Sequence, residues 1–407
     1  MQRRFLAGDL AVIRGLTAVF GVWVVGATAL RVVVVPPQYC PPVSSSEALE
    51  SGRASAAWIE RSQQPDGSYT YEYDAGDGTY SADYNSVRHA GVTMSLYQLA
   101  AVDASVLPTA DHATSWMEAR MARHNGWAAL KSPSGAIELG ASALMLAALA
   151  ERRVSTDDPR FDVLMHELAR FILVMQQDDG SFLLRWLPST GAPDPGERSK
   201  YATGESFWAL ALMHRLFPGE GWDAPVRRVA DYLSLYRDSV EKQKFPPWAD
   251  QWAAYGLAEM AAWPGKGPHL NEANVTYARS LAERFGFLVR VESQRRDSRF
   301  SDLVHGRQAR AAGMGTWGEG LDSLWRLAGL DPRLADMREK IGERAACTSG
   351  MLAQRQVKPG DSGTEADGPL AGGWFSEGVT RMDDQQHALS ALLRSRDILE
   401  RRSKEPK

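Results

Sequence analysis

The feature that most constrains this chain is an alternation of two kinds of helical segment, repeated from about residue 47 to residue 399. One kind is amphipathic, with a polar face, as in Asp223–Arg237. The other is apolar almost all round and rich in Ala and Leu, as in Leu144-Met145-Leu146-Ala147-Ala148-Leu149 and Phe207-Trp208-Ala209-Leu210-Ala211-Leu212. A helix of the first kind covers a core on one side and meets water on the other; a helix of the second kind must be surrounded. Six pairs are expected: 47–63 with 86–102, 111–123 with 136–151, 160–176 with 203–216, 224–236 with 248–262, 271–287 with 317–327, and 332–354 with 381–399. No long stretch alternates with period two, so only short strands are expected, near Ser68–Tyr73 and Phe182–Trp186. Exposed helices alternating with buried ones predict an outer ring around an inner ring, an all-α (α/α)6 barrel (α/α toroid) of about six helical hairpins over residues 47–400.

A different segment precedes this body. Arg3, Arg4 and Arg14 lead into an uncharged, mostly apolar run from Gly15 to Leu30, and after Arg31 the apolar character continues to Val35. Residues 1–35 therefore read as a signal peptide or signal anchor, with Ala27-Thr28-Ala29 as a small-x-small cleavage site. Basic residues ahead of the run favour an extracytoplasmic body, periplasmic or at the cell surface, with the membrane as a partner through this segment. Residues 36–46, rich in Pro and Ser, read as a linker, and residues 401–407 as a charged, frayed tail. A net charge of −4 gives no basic footprint for a nucleic-acid partner. The two cysteines, Cys40 and Cys347, make neither a disulfide framework nor a zinc site, though a bond between them is open.

Each apolar helix carries polar residues at or near its start. Arg88, Glu138, Glu205, Asp250, Glu319 and Asp383 are spaced by 50, 67, 45, 69 and 64 residues, one per hairpin. If the inner helices run parallel, these side chains converge on one cleft, and convergent titratable groups in a concave site mark an active centre. An acidic residue in a first helical turn also stabilises the helix dipole, by up to about 1 kcal/mol, with no chemistry involved. Two segments are densest. Tyr84-Asn85-Ser86-Val87-Arg88-His89 offers Arg88 to grip an anion and His89 as an acid or base near neutral pH. In Met382-Asp383-Asp384-Gln385-Gln386-His387 the adjacent carboxylates repel, so one can stay protonated and act as an acid. Asp384 and His387 have the spacing of two metal ligands, but no second pair accompanies them, so neither metal nor cofactor is expected. Trp252, Trp317 and Trp374 are candidate cleft aromatics.

Two loops carry a resemblance. Gln63-Gln64-Pro65-Asp66-Gly67-Ser68-Tyr69 and Gln176-Gln177-Asp178-Asp179-Gly180-Ser181-Phe182 are similar to the outer-helix exits of α/α-toroid proteins, among them the six-hairpin glycosidases, sugar epimerases and lyases, and the terpene cyclases. The resemblance to six-hairpin glycosidases implies a carbohydrate or polysaccharide partner. It also implies carboxylate acid/base chemistry, by hydrolysis, elimination or epimerisation, with Asp383 and Asp384 as the pair and Glu205 and Glu319 as alternatives. Around these, Arg88, His89, Tyr84, Glu138, Asp250, Trp252, Trp317, Trp374 and His387 would bind a saccharide, an acidic one fitting Arg88 and His89 slightly better than a neutral one. Two alternatives stay open: a non-catalytic glycan-binding or envelope scaffold module, and a terpene cyclase-like enzyme acting on an isoprenoid. Met382-Asp383-Asp384 is similar to the cyclases' acidic motif but lacks its leading Asp.

Overall fold

The computed structural model describes residues 2–198, 200–265, 268–360 and 368–404; the side chains of Arg3 and Arg4 and the last three tail residues, 405–407, lie outside it. Two units are distinguished: Met1–Tyr39 with Arg290–Gln308, and Cys40–Val289 with Ala309–Lys407.

In the first unit, α1 (Gln2–Ala29) passes into a π turn, Leu30–Val34. Val12–Ala29 is long and apolar enough to cross a membrane, and none of it is buried. Past the π turn the chain is held by backbone carbonyls: Gln294 Nε2 donates to Pro36 O at 2.9 Å and an Arg296 guanidinium nitrogen to Pro37 O at 2.8 Å.

The second unit is built from helical hairpins. Its outer helices are α2 (Ser45–Ser62), α4 (Leu107–Glu118), α6 (Asp162–Met175), α8 (Asp223–Asp231, continued by a π turn and the short α9, Arg237–Val240), α11 (Glu272–Ser293, whose last four residues belong to the first unit) and α14 (Arg338–Arg355). Its inner helices are α3 (Ser86–Ala100), α5 (Leu139–Thr156), α7 (Ala202–Leu216), α10 (Gln251–Ala261), α13 (Ala311–Leu330) and α15 (Met382–Arg394). The short α12 (Arg299–His305) belongs to the first unit, and α16 (Arg396–Ser403) follows the last inner helix. Each inner helix packs on the next, and α15 packs on α3, which closes a ring of six. Five outer helices lie on the inner helix of the preceding hairpin: α2 on α15, α4 on α3, α6 on α5, α8 on α7 and α14 on α13. That offset stitches each hairpin to its neighbour.

The pattern of small residues makes the ring tight. A Cβ on Gly91 of α3 would overlap the Gln386 amide of α15, and one on Gly315 of α13 would overlap the backbone of His387. Gly at these two places lets helix meet helix where the ring closes, at a helix-propensity cost of about 1 kcal/mol each. The two glutamine loops work alike. Gly67 and Gly180 both take φ of +87°, which glycine adopts without steric penalty. In each loop an Asp carboxylate accepts the Ser N–H two residues on, at 3.0 and 2.9 Å. The leading Gln then reaches the next outer helix: Gln63 Nε2 donates to Thr109 O and Gln176 Nε2 to Pro225 O, both at 3.0 Å. The motif is a clasp between consecutive hairpins.

Three small antiparallel sheets occupy the connections: β2-β1-β8, β3-β4 and β5-β6-β7. Their strands are β1 (Glu72–Asp74), β2 (Thr79–Tyr80), β3 (Met121–His124), β4 (Trp127–Leu130), β5 (Ile137–Glu138), β6 (Arg185–Leu187), β7 (Ala192–Pro193) and β8 (Val379–Arg381). β1 and β6 fall at or just past the ends of the two segments expected to be extended. The β3-β4 hairpin replaces the expected end of the second outer helix. Its turn residues Asn125 and Gly126 have φ of 46° and 82°, the positive-φ pair for which Asn-Gly is the favoured sequence.

Cys40 and Cys347 form a disulfide, so the segment expected to be a free linker is tied to α14 inside the second unit. The tail residues 401–403, expected to fray, continue α16, and Arg402 reaches Glu339 at 3.2 Å.

Candidate functional site

The starts of all six inner helices line one cavity of about 690 Å³. Arg88 of α3, Glu138 just before α5, Glu205 of α7, Trp252 of α10, Trp317 of α13 and Asp383 of α15 all stand on its wall. The inner helices are therefore parallel, and the six N-terminal dipole ends point at a common space, which favours negative charge there. In a ring of six, α7 and α15 are three places apart, so Glu205 and Asp383 line the cavity from opposite sides of the ring.

Each side chain has its own physical setting. Glu205 is buried, and that desolvation, with the nearby Asp250 carboxylate, pushes its pKa up to about 8, so it is a carboxylic acid at neutral pH. Asp383 pairs with Arg88 at 3.2 Å through Oδ2, while its Oδ1 is buried with no partner. Arg88 also donates to the Tyr71 hydroxyl at 2.9 Å. Glu138 pairs with Arg185 at 3.3 Å. His387 lines the cavity and is oriented by Glu319, whose carboxylate meets Nδ1 at 2.8 Å. Burial pulls the His387 pKa down, but attraction to Glu319 and the hydrogen bond to it outweigh this and the net direction is up.

Six of the residues expected at the cleft are elsewhere. Asp384 is buried behind the wall, in an ion pair with Arg310, and accepts the Ala312 and Arg381 N–H groups, both at 3.1 Å. It ties the starts of α13 and α15 together. Burial, the largest influence, raises its pKa, opposed by Arg310. Glu319 is fully buried because α13 begins at Ala311, six residues ahead of the expected Trp317, which puts Glu319 two turns inside the helix. Asp250 caps α10, accepting the Ala253 N–H at 3.0 Å, and pairs with the buried Arg237. His89 is packed in the core against Trp116 with ring centroids 4.3 Å apart, and it bonds the Tyr84 hydroxyl at 2.6 Å and Ala113 O at 3.0 Å. Burial pushes its pKa down to about 3, so it is neutral. Tyr84 lines a separate, smaller hollow of about 200 Å³. Trp374 is buried, with its indole N–H on Leu352 O at 2.8 Å.

Residues not anticipated complete the wall: Tyr201, Trp248, Arg284 and Gln386. Among the described residues, 13 buried side-chain polar atoms have no hydrogen-bond partner, and four of them are on cavity-lining residues: Trp248 Nε1, Arg284 Nε, Asp383 Oδ1 and Gln386 Nε2. Buried polar groups in a folded protein are nearly always satisfied, so orphans gathered at one cavity mark groups left for a ligand. Trp248 stands two residues before the helix-capping Asp250, and Gln386 lies in the dense 382–387 segment, so both were within reach of sequence reasoning. Arg284 belongs to the polar pattern of an outer helix and carried no such signal. Among the described residues, no three His, Cys, Asp or Glu side chains gather as metal ligands.

No protein-family model and no curated protein matches this chain. Solved structures do. Cellobiose 2-epimerase from Spirochaeta thermophila is similar with a TM-score of 0.61 at 13% identity, over 88% of this chain and 97% of that one. An unsaturated glucuronyl hydrolase specific for heparin gives 0.58 at 12%, over 88% and 99%. A family 76 glycoside hydrolase (mannosidase) from Bacteroides thetaiotaomicron gives 0.57 at 12%, over 88% and 100%. The fold is thus an (α/α)6 toroid, shared with these structures.

Proposed function

We propose that this protein is an extracytoplasmic carbohydrate-active enzyme that cleaves a glycosidic bond in the ring cavity, with Glu205 as general acid and Asp383 as base or nucleophile. One arrangement carries the reading: Glu205, whose pKa burial raises to about 8, and Asp383, with an uncommitted oxygen, line one cavity from helices on opposite sides of the ring. Glycoside hydrolysis needs that division of labour, one group protonating the leaving oxygen while the other attacks or activates water. The orphaned donors Trp248, Gln386 and Arg284 suit a hydroxylated ligand. A hydrocarbon would leave each of them unpaired, at about 1–3 kcal/mol apiece, which disfavours an isoprenoid substrate. A pure scaffold would have no use for the free Asp383 oxygen. The similar solved structures named above are carbohydrate enzymes by their descriptions, which accords with this assignment.

A second reading rests on its own observation. The imidazole of His387, fixed through Nδ1 by a buried carboxylate, leaves Nε2 to exchange a proton with a sugar carbon, as epimerisation requires. The test is incubation with a panel of neutral and acidic polysaccharides and oligosaccharides, with product analysis by reducing-end assay and NMR. New reducing ends that vanish in Glu205→Gln and Asp383→Asn support hydrolysis. Stereoisomers formed without cleavage, and lost in His387→Asn, support epimerisation. Binding with no product in any case returns the scaffold.

For location, α1 serves as a signal or anchor with its basic end inside, and the Cys40–Cys347 disulfide fits an oxidising compartment. Fractionation of cells expressing the full chain, before and after alkaline carbonate washing, tests this. Recovery in the cytosol would exclude it.

A further inference from the structure

The charges around the cavity nearly cancel. Arg88 is matched by Asp383, Glu138 by Arg185, and His387 by Glu319. Glu205 is uncharged while protonated. One cation remains. Arg284 on α11 lines the cavity, is half-buried, and makes no hydrogen bond or ion pair with any described residue. The same cavity wall carries Leu288, one turn further along the same helix, and Ala312, Gly313, Thr316 and Trp317 from α13.

A buried guanidinium nitrogen with no acceptor is costly, and guanidinium is the side chain whose planar fork best matches a two-oxygen anion. The six helix N-termini add positive potential at the same place. Each remaining orphan is neutral or already half-committed, whereas Arg284 is a cation without a counter-ion among the described residues, so an anion would satisfy both its hydrogen bond and its charge. We infer that Arg284 receives an anionic substituent, a carboxylate or a sulfate, on the saccharide held in the ring cavity, so that the substrate is an acidic sugar. This rests on the carbohydrate assignment above. It also moves anion recognition away from Arg88, whose charge is taken up by Asp383, and from His89, which is neutral and in the core.

The test uses the full chain in detergent, at constant ionic strength in chloride. Saturable change in tryptophan fluorescence is followed on titration with D-glucose, D-glucuronate, D-glucose 6-sulfate and inorganic sulfate. Trp248, Trp252 and Trp317 on the wall provide the signal. The expected result is at least 10-fold tighter binding of glucuronate or glucose 6-sulfate than of glucose. That preference should be lost in Arg284→Gln, partly kept in Arg284→Lys, and unchanged in Arg227→Gln on a remote surface. Which of the two charged sugars binds tighter distinguishes carboxylate from sulfate. Equal binding of neutral and charged sugars, or a preference that survives Arg284→Gln, overturns the proposal and leaves the carbohydrate assignment standing. Binding of inorganic sulfate through Arg284 with no sugar bound keeps the anion site and removes the carbohydrate assignment. No saturable binding of any of the four overturns both.

Discussion

The two ends of the inner ring treat buried charge in opposite ways. At the end where the inner helices begin, a 690 Å³ cavity has four lining polar atoms without a protein partner, on Trp248, Arg284, Asp383 and Gln386. At the end where they finish, charged side chains pair with one another between helices. Arg394 of α15 meets Asp322 of α13 at 3.2 Å and lies 4.1 Å from the centroid of the Tyr255 ring of α10. Arg215 of α7 meets Glu259 of α10 at 3.1 Å. Burial pushes Asp322 up to about 6, while the Arg394 guanidinium opposes it. The difference lies in what the charges face: an open cavity at one end, and partner charges on neighbouring helices at the other, even though Asp322 Oδ1 and Glu259 Oε1 are also left without a hydrogen bond there. Removing a partner at the closed end therefore damages folding, and removing a group at the open end damages ligand handling.

The largest effect that would break this contrast concerns Glu205. Glu205→Gln keeps shape and neutrality but cannot give up a proton, so turnover should fall about 10²–10⁴-fold with little change in Tm. A large loss of Tm instead would make Glu205 a structural group. Next, Arg394→Ala leaves Asp322 in the ring without its partner and should cost about 3–5 kcal/mol in denaturant unfolding, without altering affinity in the remaining folded protein. Asp384→Asn should behave like a closed-end change, lowering stability through the lost Arg310 pair, whereas Asp383→Asn should lower turnover first.

The pH dependence sharpens the comparison further. A carboxyl whose pKa is raised on folding binds its proton more tightly in the folded state. Its contribution to stability is fully present below the unfolded value and is lost as pH rises through the folded one. For Glu205 that window runs from about 4.5 to about 8, and for Asp322 from 3.8 to about 6. Stability should thus decline with rising pH across this range, and the upper part, from about 6 to about 8, should flatten in Glu205→Gln. Hydrolysis should also fade above pH 8 as the acid is lost. The smallest effect is expected from Trp248→Phe. It deletes an orphaned N–H and should weaken saccharide binding by about 0.5–1.5 kcal/mol while leaving unfolding unchanged, since no protein hydrogen bond is broken.

Much of the architecture could be read from periodicity alone. The buried helices announce themselves because a helix apolar on every face can be stable only when surrounded, and the six pairs recur with the regularity that a closed ring demands. The clasp loops were legible too, since Asp-Gly-Ser after paired glutamines states a turn and a positive φ. The β3-β4 hairpin was signalled by Asn125-Gly126 but lost to the helical pattern before it. The site was half legible. The starts of most inner helices lie close to where the sequence places them, so Arg88, Glu138, Glu205, Trp252, Asp383 and His387 could be placed on one wall, and Trp317 reaches it although α13 begins six residues earlier than expected.

What the linear pattern does not encode is which of two neighbouring polar residues faces inward. Asp383 and Asp384 differ by one position, about 100° around the helix, and only packing against α13 sends one to the cavity and the other to Arg310. The sequence by itself determined the ring, its two layers and the end at which its polar groups gather, because those follow from period and helix polarity. The tertiary structure decided which charges are satisfied, which depends on contacts between residues tens to hundreds of positions apart. It closed Cys40 on Cys347, buried Glu319 beneath His387, and left Arg284 without a partner at the cavity wall.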